Sequence, residues 1–252
     1  MKEFKLPGDA AAMTYLACLK FEYSGLNLDQ LQIAEVFQNT IIVNFLQLTL
    51  VFFIWYYAIN DIGLVEFLNV RDSYEILCVR FIASLMMHLN VEKDLRNGIS
   101  MMKYCVNHWQ NFNNLGSAFC VSFLLTISSI LIEFTVIEVL ISLPNILEVI
   151  MKYVSLAAIA NIPRFYFGSL VDHKLLKANG HKLVLENFRH MNPRKNAPCQ
   201  VHLMRFIQKS CRMYFCVWCY YFMPFTGMFI TYFVNEREKS DPGRVVEQIE
   251  DS

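Results

Sequence analysis

Apolar residues in this chain come in long unbroken runs, and the first sets the scale for the rest. No charged residue occurs from Val36 to Asn60, and Thr40 to Ile59 supplies about the 20 residues that a bilayer-crossing helix needs. Trp55, Tyr56 and Tyr57 close this run with the amphipathic aromatics that settle at headgroup level. Leu28, Leu31, Val36 and Phe37 give a weaker helical face ahead of it, a lead-in helix with Asn27 as its cap. A second uncharged run extends from Tyr104 to Ile132, and the span it predicts over 117–141 is interrupted only by Glu133 and Glu138. Leu143-Pro144-Asn145 then breaks the helix, and 145–163 is apolar again apart from Glu148 and Lys152, which predicts a tight helical hairpin. The last run, 213–234, has no charge and carries Pro224 near its middle, where a bilayer helix tolerates a kink if neighbours satisfy the freed carbonyl.

Two stretches fit this count less simply. Ile76 to Leu89 is apolar except for Arg80, Ser84 and His88, whose four-residue spacing lines one stripe of a helix. At about 14 residues it is nearer an interfacial or re-entrant helix than a crossing. Residues 164–212 are strongly basic, ten Lys/Arg against Asp172 and Glu186, and form a loop expected on the cytoplasmic or equivalent side. The pattern therefore predicts an all-α, polytopic helical membrane protein. It has an extramembrane segment over 1–39, about four transmembrane helices (40–60, 117–141, 145–163, 213–234) within a membrane domain over 40–234, an added amphipathic or re-entrant helix, and a polar tail over 235–252.

Composition supports this class. Of 252 residues 55% are hydrophobic and only 17% charged, below the roughly 25% of soluble domains, and the mean hydropathy is +0.34. Basic and acidic residues cancel at 22 each, so no global field attracts polyanions and no nucleic-acid partner is expected. Charge placement gives an orientation. With four spans, loops 60–115 and 163–212 share one side and hold five and ten Lys/Arg, against three in each tail and none in the hairpin. A fifth span over 74–90 obeys the same rule, because the N-terminal tail and the basic loop then share the inner side. Four is preferred because Arg80 in so short a span needs a protein partner. Residues 1–27 mix acidic with basic side chains, unlike a cleavable leader or a transit peptide.

Candidate chemistry lies first in the embedded charges. Ser122, Thr126, Ser129 and Glu133 fall at steps of four, three and four, and Glu148, Lys152 and Ser155 form a similar stripe on the next span. At 1.5 Å per residue Lys152 lies about 10 Å and Glu133 about 15 Å from the Pro144 turn, so pairing of Lys152 with Glu133 or Glu148 is expected to offset the cost of charge in hydrocarbon. With Glu138 these residues form a candidate intramembrane network, read either as packing ion pairs or as a proton or cation pathway. Cys216-Val-Trp-Cys219 is a C-x-x-C of the kind that serves as a redox dithiol, placed as in vitamin K epoxide reductase-like enzymes, although the charge rule puts it on the reducing side. Cys105 with His108 and Cys199 with His202 offer a two-Cys, two-His zinc set only if the fold joins them. Most of the eight cysteines lie in apolar stretches and are expected as free thiols. No phosphate-binding glycine loop, nucleophile elbow or H-E-x-x-H motif occurs, and no cofactor is expected.

Arg80-Phe-Ile-Ala-Ser-Leu-Met-Met-His88, Gly98-Ile-Ser-Met-Met-Lys-Tyr-Cys-Val-Asn-His108 and Glu148-Val-Ile-Met-Lys-Tyr-Val-Ser-Leu-Ala-Ala-Ile-Ala-Asn-Ile162 together resemble a group of uncharacterised multi-pass membrane proteins of ciliated protozoa, over about residues 70–172. The resemblance implies the membrane class and carries no activity. Where that group has Met-Asn-Phe this chain has Met151-Lys152-Tyr153, and where it has Glu-Ile-Asp this chain has Asn161-Ile162-Pro163. Loss of acids there points to a non-conducting, auxiliary role. The functional expectation is a non-catalytic structural or accessory subunit of a membrane complex, with lipids and other membrane subunits as partners. An ion channel or transporter subunit is the first alternative and a membrane thiol oxidoreductase the second.

Overall fold

The computed structural model describes residues 2–24, 29–62, 74–141, 143, 145–169, 184–187, 198–219 and 225. Its elements are strand β1 (Lys2–Lys5), helices α1 (Ala10–Cys18), α2 (Phe21–Ser24), α3 (Gln30–Ile62), α4 (Tyr74–Asn107), α5 (Leu115–Ile141), α6 (Ile146–Ala160) and α7 (Ile162–Ser169), strand β2 (Val184–Asn187) and helix α8 (Cys199–Tyr214). α8 runs into a π-helical turn, Phe215–Cys219. The protein is helical, apart from one antiparallel ribbon in which Lys2 to Lys5 pair with Asn187 to Val184. Among the described residues three helices are long and apolar enough to cross a membrane, α3, α4 and α5, and α6 with α7 makes a fourth if that pair, bent by 50°, counts as one.

The lead-in helix and the first span are one 33-residue helix, α3, because nothing between Gln30 and Thr40 breaks it. Ile76 to Leu89, expected as a short interfacial or re-entrant helix, is the first half of a 34-residue helix, about 51 Å long. Charges from Glu92 to Arg96 end the apolar run, but Glu, Lys and Arg are good helix formers, so hydropathy stops where the backbone does not. Glu92 and Arg96 pair one turn apart on the outside. Within the segment expected as a basic loop, 164–212, the structure has most of α7, β2 and the 16-residue α8. The last span, 213–234, lies outside the described residues except for its first turns to Cys219 and for Phe225, and the tail over 235–252 lies wholly outside them, as does the expected cap Asn27.

α5 is the central helix, packed by α4, α3, α1 and α6. Two apolar cores stack along it. One holds α1 residues such as Tyr15 and Leu16 with Met101, Met102, Cys105, Ala118, Val121 and Val201. The other joins Val51, Ala83, Met87, Val136, Leu140, Val149 and Leu156. The N-terminal residues, read as extramembrane, supply a helix that is buried throughout. Tyr15 donates to the Met101 carbonyl at 3.0 Å, Thr14 and Thr40 hydroxyls meet at 2.7 Å, and Lys20 N–H donates to the Asn111 carbonyl at 2.9 Å. The N-terminus, the α4–α5 connection, the start of α8 and, through the ribbon, the basic segment therefore lie at one end of the bundle. α4 runs the length of the bundle and returns the chain to its starting end.

Candidate functional site

The Arg80, Ser84 and His88 stripe of α4 is buried and turned toward α5, and its deepest contact is made between the two apolar cores. There His88 Nδ1 forms a short hydrogen bond, or ion pair, with Glu133 Oε1, with Glu133 only 3% exposed. About two turns toward the other end, the Arg80 guanidinium donates to the Leu143 carbonyl at 2.5 Å, which satisfies a backbone group just past the C-terminus of α5. Arg80 thus has the protein partner its position demands.

Tyr214, at the end of α8, and Cys219, in its π turn, pack against the first of the two cores. The second carboxylate oxygen of Glu133 and one oxygen of Glu138 are buried atoms without a hydrogen-bond partner. Such groups are few in native proteins and each calls for a physical reason. A π turn often marks a functional site, and here it carries Cys219 into the core.

The hydroxyl stripe behaves differently. Ser122 donates to the Ala118 carbonyl at 2.8 Å, Thr126 to Ser122 at 2.9 Å and Ser129 to Leu125 at 2.8 Å. Each bonds back to its own helix, so the stripe offers no line of open polar groups. Lys152 is exposed and joins neither Glu133 nor Glu148, because α6 turns Val149, Leu156 and Ala160 inward instead. Glu148, in the first turn of α6 where the helix dipole favours an acid, accepts from Asn145 at 3.0 Å. The expected Lys152 pairing is therefore replaced by His88, which lies on a helix that sequence spacing alone could not align with α5.

A second polar cluster, missed in the sequence, ties the bent pair to the bundle. Arg164 donates to Asp94 at 2.5 Å, to Asn161 at 2.7 Å and to Asn90 at 3.1 Å. Pro163 has no N–H for the Ile159 carbonyl four residues back, which accounts for the kink. Gln47 of α3 supplies the missing donor, reaching the Ile159 and Ala160 carbonyls at 3.1 Å each. The signal for it was the Pro163 that ends the third apolar run.

Asp9 borders this cluster and caps α1, accepting from Ala12 N–H at 2.9 Å. Burial pushes its carboxyl up from 3.8 to about 6; the Ala12 hydrogen bond and Arg164 oppose the rise, and the Asp94 charge adds to it. Between those values the folded chain binds a proton that the unfolded chain has lost, so stability falls as pH rises from about 4 to 6, by about 3 kcal/mol. Asp9→Asn, which keeps an acceptor for the cap, is expected to flatten this decline. Thermal unfolding of both proteins in detergent from pH 4 to 7 measures it; parallel curves would refute it.

The remaining candidates lie apart. Cys216 is exposed and Cys219 buried, and all eight thiols are free. Cys105 and His108 are buried near Tyr15, while Cys199 and His202 are exposed at the start of α8, and among the described residues no three metal-binding side chains converge. On the outer surface, Phe45, Phe52, Phe53, Tyr56 and Tyr57 of α3 are more than half exposed, with Phe52 and Tyr56 stacked at 6.3 Å. Set beside known proteins, the chain matches no family model, no curated protein and no solved structure.

Proposed function

We propose that the chain is a multi-pass integral membrane protein acting as a non-catalytic structural or accessory subunit of a membrane complex. The observation that carries this reading is that the Ser122, Thr126 and Ser129 hydroxyls of α5 all bond to their own helix, so they lay no line of open hydroxyls along it. Five crossings fit best, by α3, α4, α5, the bent pair and the last apolar run, with the N-terminal tail and basic segment on the positive inner side. The exposed aromatic face of α3 is then open to lipid or to helices of partner subunits.

A second reading, a proton or cation pathway, is favoured by the unpartnered oxygens of Glu133 and Glu138. One preparation separates the two. Native mass spectrometry of gently solubilised protein is expected to find it as a stoichiometric member of a larger assembly, and the purified chain in liposomes is expected to pass no ions. A lone chain whose ion flux disappears in Glu133→Gln would overturn the subunit reading.

A further inference from the structure

α8 has no acidic residue, and its circumference divides into three. Val201, Met204, Ile207, Gln208, Cys211 and Tyr214 turn inward, most of them against the core at the N-terminal end. Leu203, Phe206 and Met213, at 62%, 69% and 67% exposure, form an outward apolar stripe. Between these faces His202, Arg205, Lys209 and Arg212 follow at steps of three, four and three, which aligns them on a single basic stripe.

Among the described residues the ion pairs are His88 with Glu133, Arg96 with Glu92 and Arg164 with Asp94, so no carboxylate of the described residues answers the α8 stripe. Its position along the bundle follows from its contacts. From Val201 to Tyr214 α8 packs on the core shared with Met101 and Cys105, and it lies along α4. The stripe therefore runs beside the charged half of α4, which the membrane reading above sets at the level of the lipid phosphates. Arg189, Arg194 and Lys195 precede it in the sequence and carry the same sign.

We propose that this face of α8 binds an anionic phospholipid of the leaflet on the N-terminal side. The lipid phosphate lies against Arg205, Lys209 and Arg212, and an acyl chain lies along Leu203, Phe206 and Met213. A guanidinium fork matches phosphate oxygens two at a time, an ammonium adds a point charge, and the apolar stripe distinguishes a lipid from a free anion. The site rests on the membrane reading above.

The test uses the full chain in detergent, titrated with phosphatidylglycerol or phosphatidylcholine and read by native mass spectrometry. Phosphatidylglycerol is expected to stay bound where phosphatidylcholine does not, and inorganic phosphate is not expected to displace it. Each charge near the surface contributes about fivefold, so Arg205→Gln, Lys209→Gln and Arg212→Gln together lower the affinity roughly 100-fold, while Arg205→Lys with Arg212→Lys keeps most of it. Equal retention of the two lipids, displacement by inorganic phosphate, or an unchanged affinity in the triple variant overturns the proposal. An alkaline carbonate wash tests the underlying reading by itself: a chain released to the supernatant is no integral membrane protein, whereas one that stays in the pellet without lipid preference fails the lipid proposal alone.

Discussion

Replacing Gly98 is expected to loosen the α4–α5 packing. A Cβ built at this position meets Thr126 Oγ1 at 2.4 Å, the Ser122 carbonyl oxygen at 3.1 Å and Thr126 N at 3.2 Å. The hydroxyl can rotate away, but the last two atoms belong to the α5 backbone, so relief requires the helices to separate. Gly98→Ala gains about 1 kcal/mol of helix propensity and loses about 1–3 kcal/mol to overpacking; the backbone contacts put the balance on the side of loss. Gly98→Leu adds three more heavy atoms at the same place and is expected to cost more still, at the upper end of that range or beyond it. Thermal unfolding in detergent should show the order Gly98, Ala, Leu, with Thr126→Ala recovering only part of the loss. A Gly98→Ala protein as stable as the parent would mean that α4 and α5 do not approach this closely.

Breaking the His88–Glu133 pair from one side is expected to be comparably severe. Both side chains are buried, and Glu133 lies on the central helix between the two cores. Removing the imidazole leaves a carboxyl with no partner on either oxygen, since Oε2 already has none. Deleting one member of a buried pair typically costs 3–5 kcal/mol, while replacing both with apolar groups of similar size is often neutral, so roughly that range applies here. His88→Ala and Glu133→Ala should each lower stability by such an amount, and His88→Leu with Glu133→Leu should restore most of it. A double-mutant cycle measures the coupling. Losses that simply add would show the two groups acting independently. Conducting activity is a separate question, answered by the flux measurement, since Glu133→Gln keeps the side-chain volume and removes only the titrating group.

Much of the fold was legible because hydrocarbon as a solvent admits few backbone solutions. A run of 20 residues without charge must close its own hydrogen bonds as a helix, so α3 and α5 could be read from Val36–Asn60 and Ala118–Ile141 directly. The same reasoning failed at α4. Hydropathy measures the medium a segment prefers and not the length of its helix, and Glu92 to Arg96 changed the first without ending the second. It failed again over 164–212, where the inward positions of α8 are diluted by its basic stripe, and at Ala10–Cys18, too short to register as a span although buried throughout.

The candidate site divides along the same line. Periodicity alone determined the two polar stripes, one on α4 and one on α5, since the angle between residues of a helix is set by its backbone. Which stripes face each other was decided only by tertiary packing. The close approach at Gly98 sets α4 against α5 and brings His88 to Glu133, while α6 turns Val149 and Leu156 inward and leaves Lys152 outside. Helix periodicity is a local property of the chain; the rotation and offset of one helix against another depend on side chains far apart in the sequence, and no single run of residues contains them.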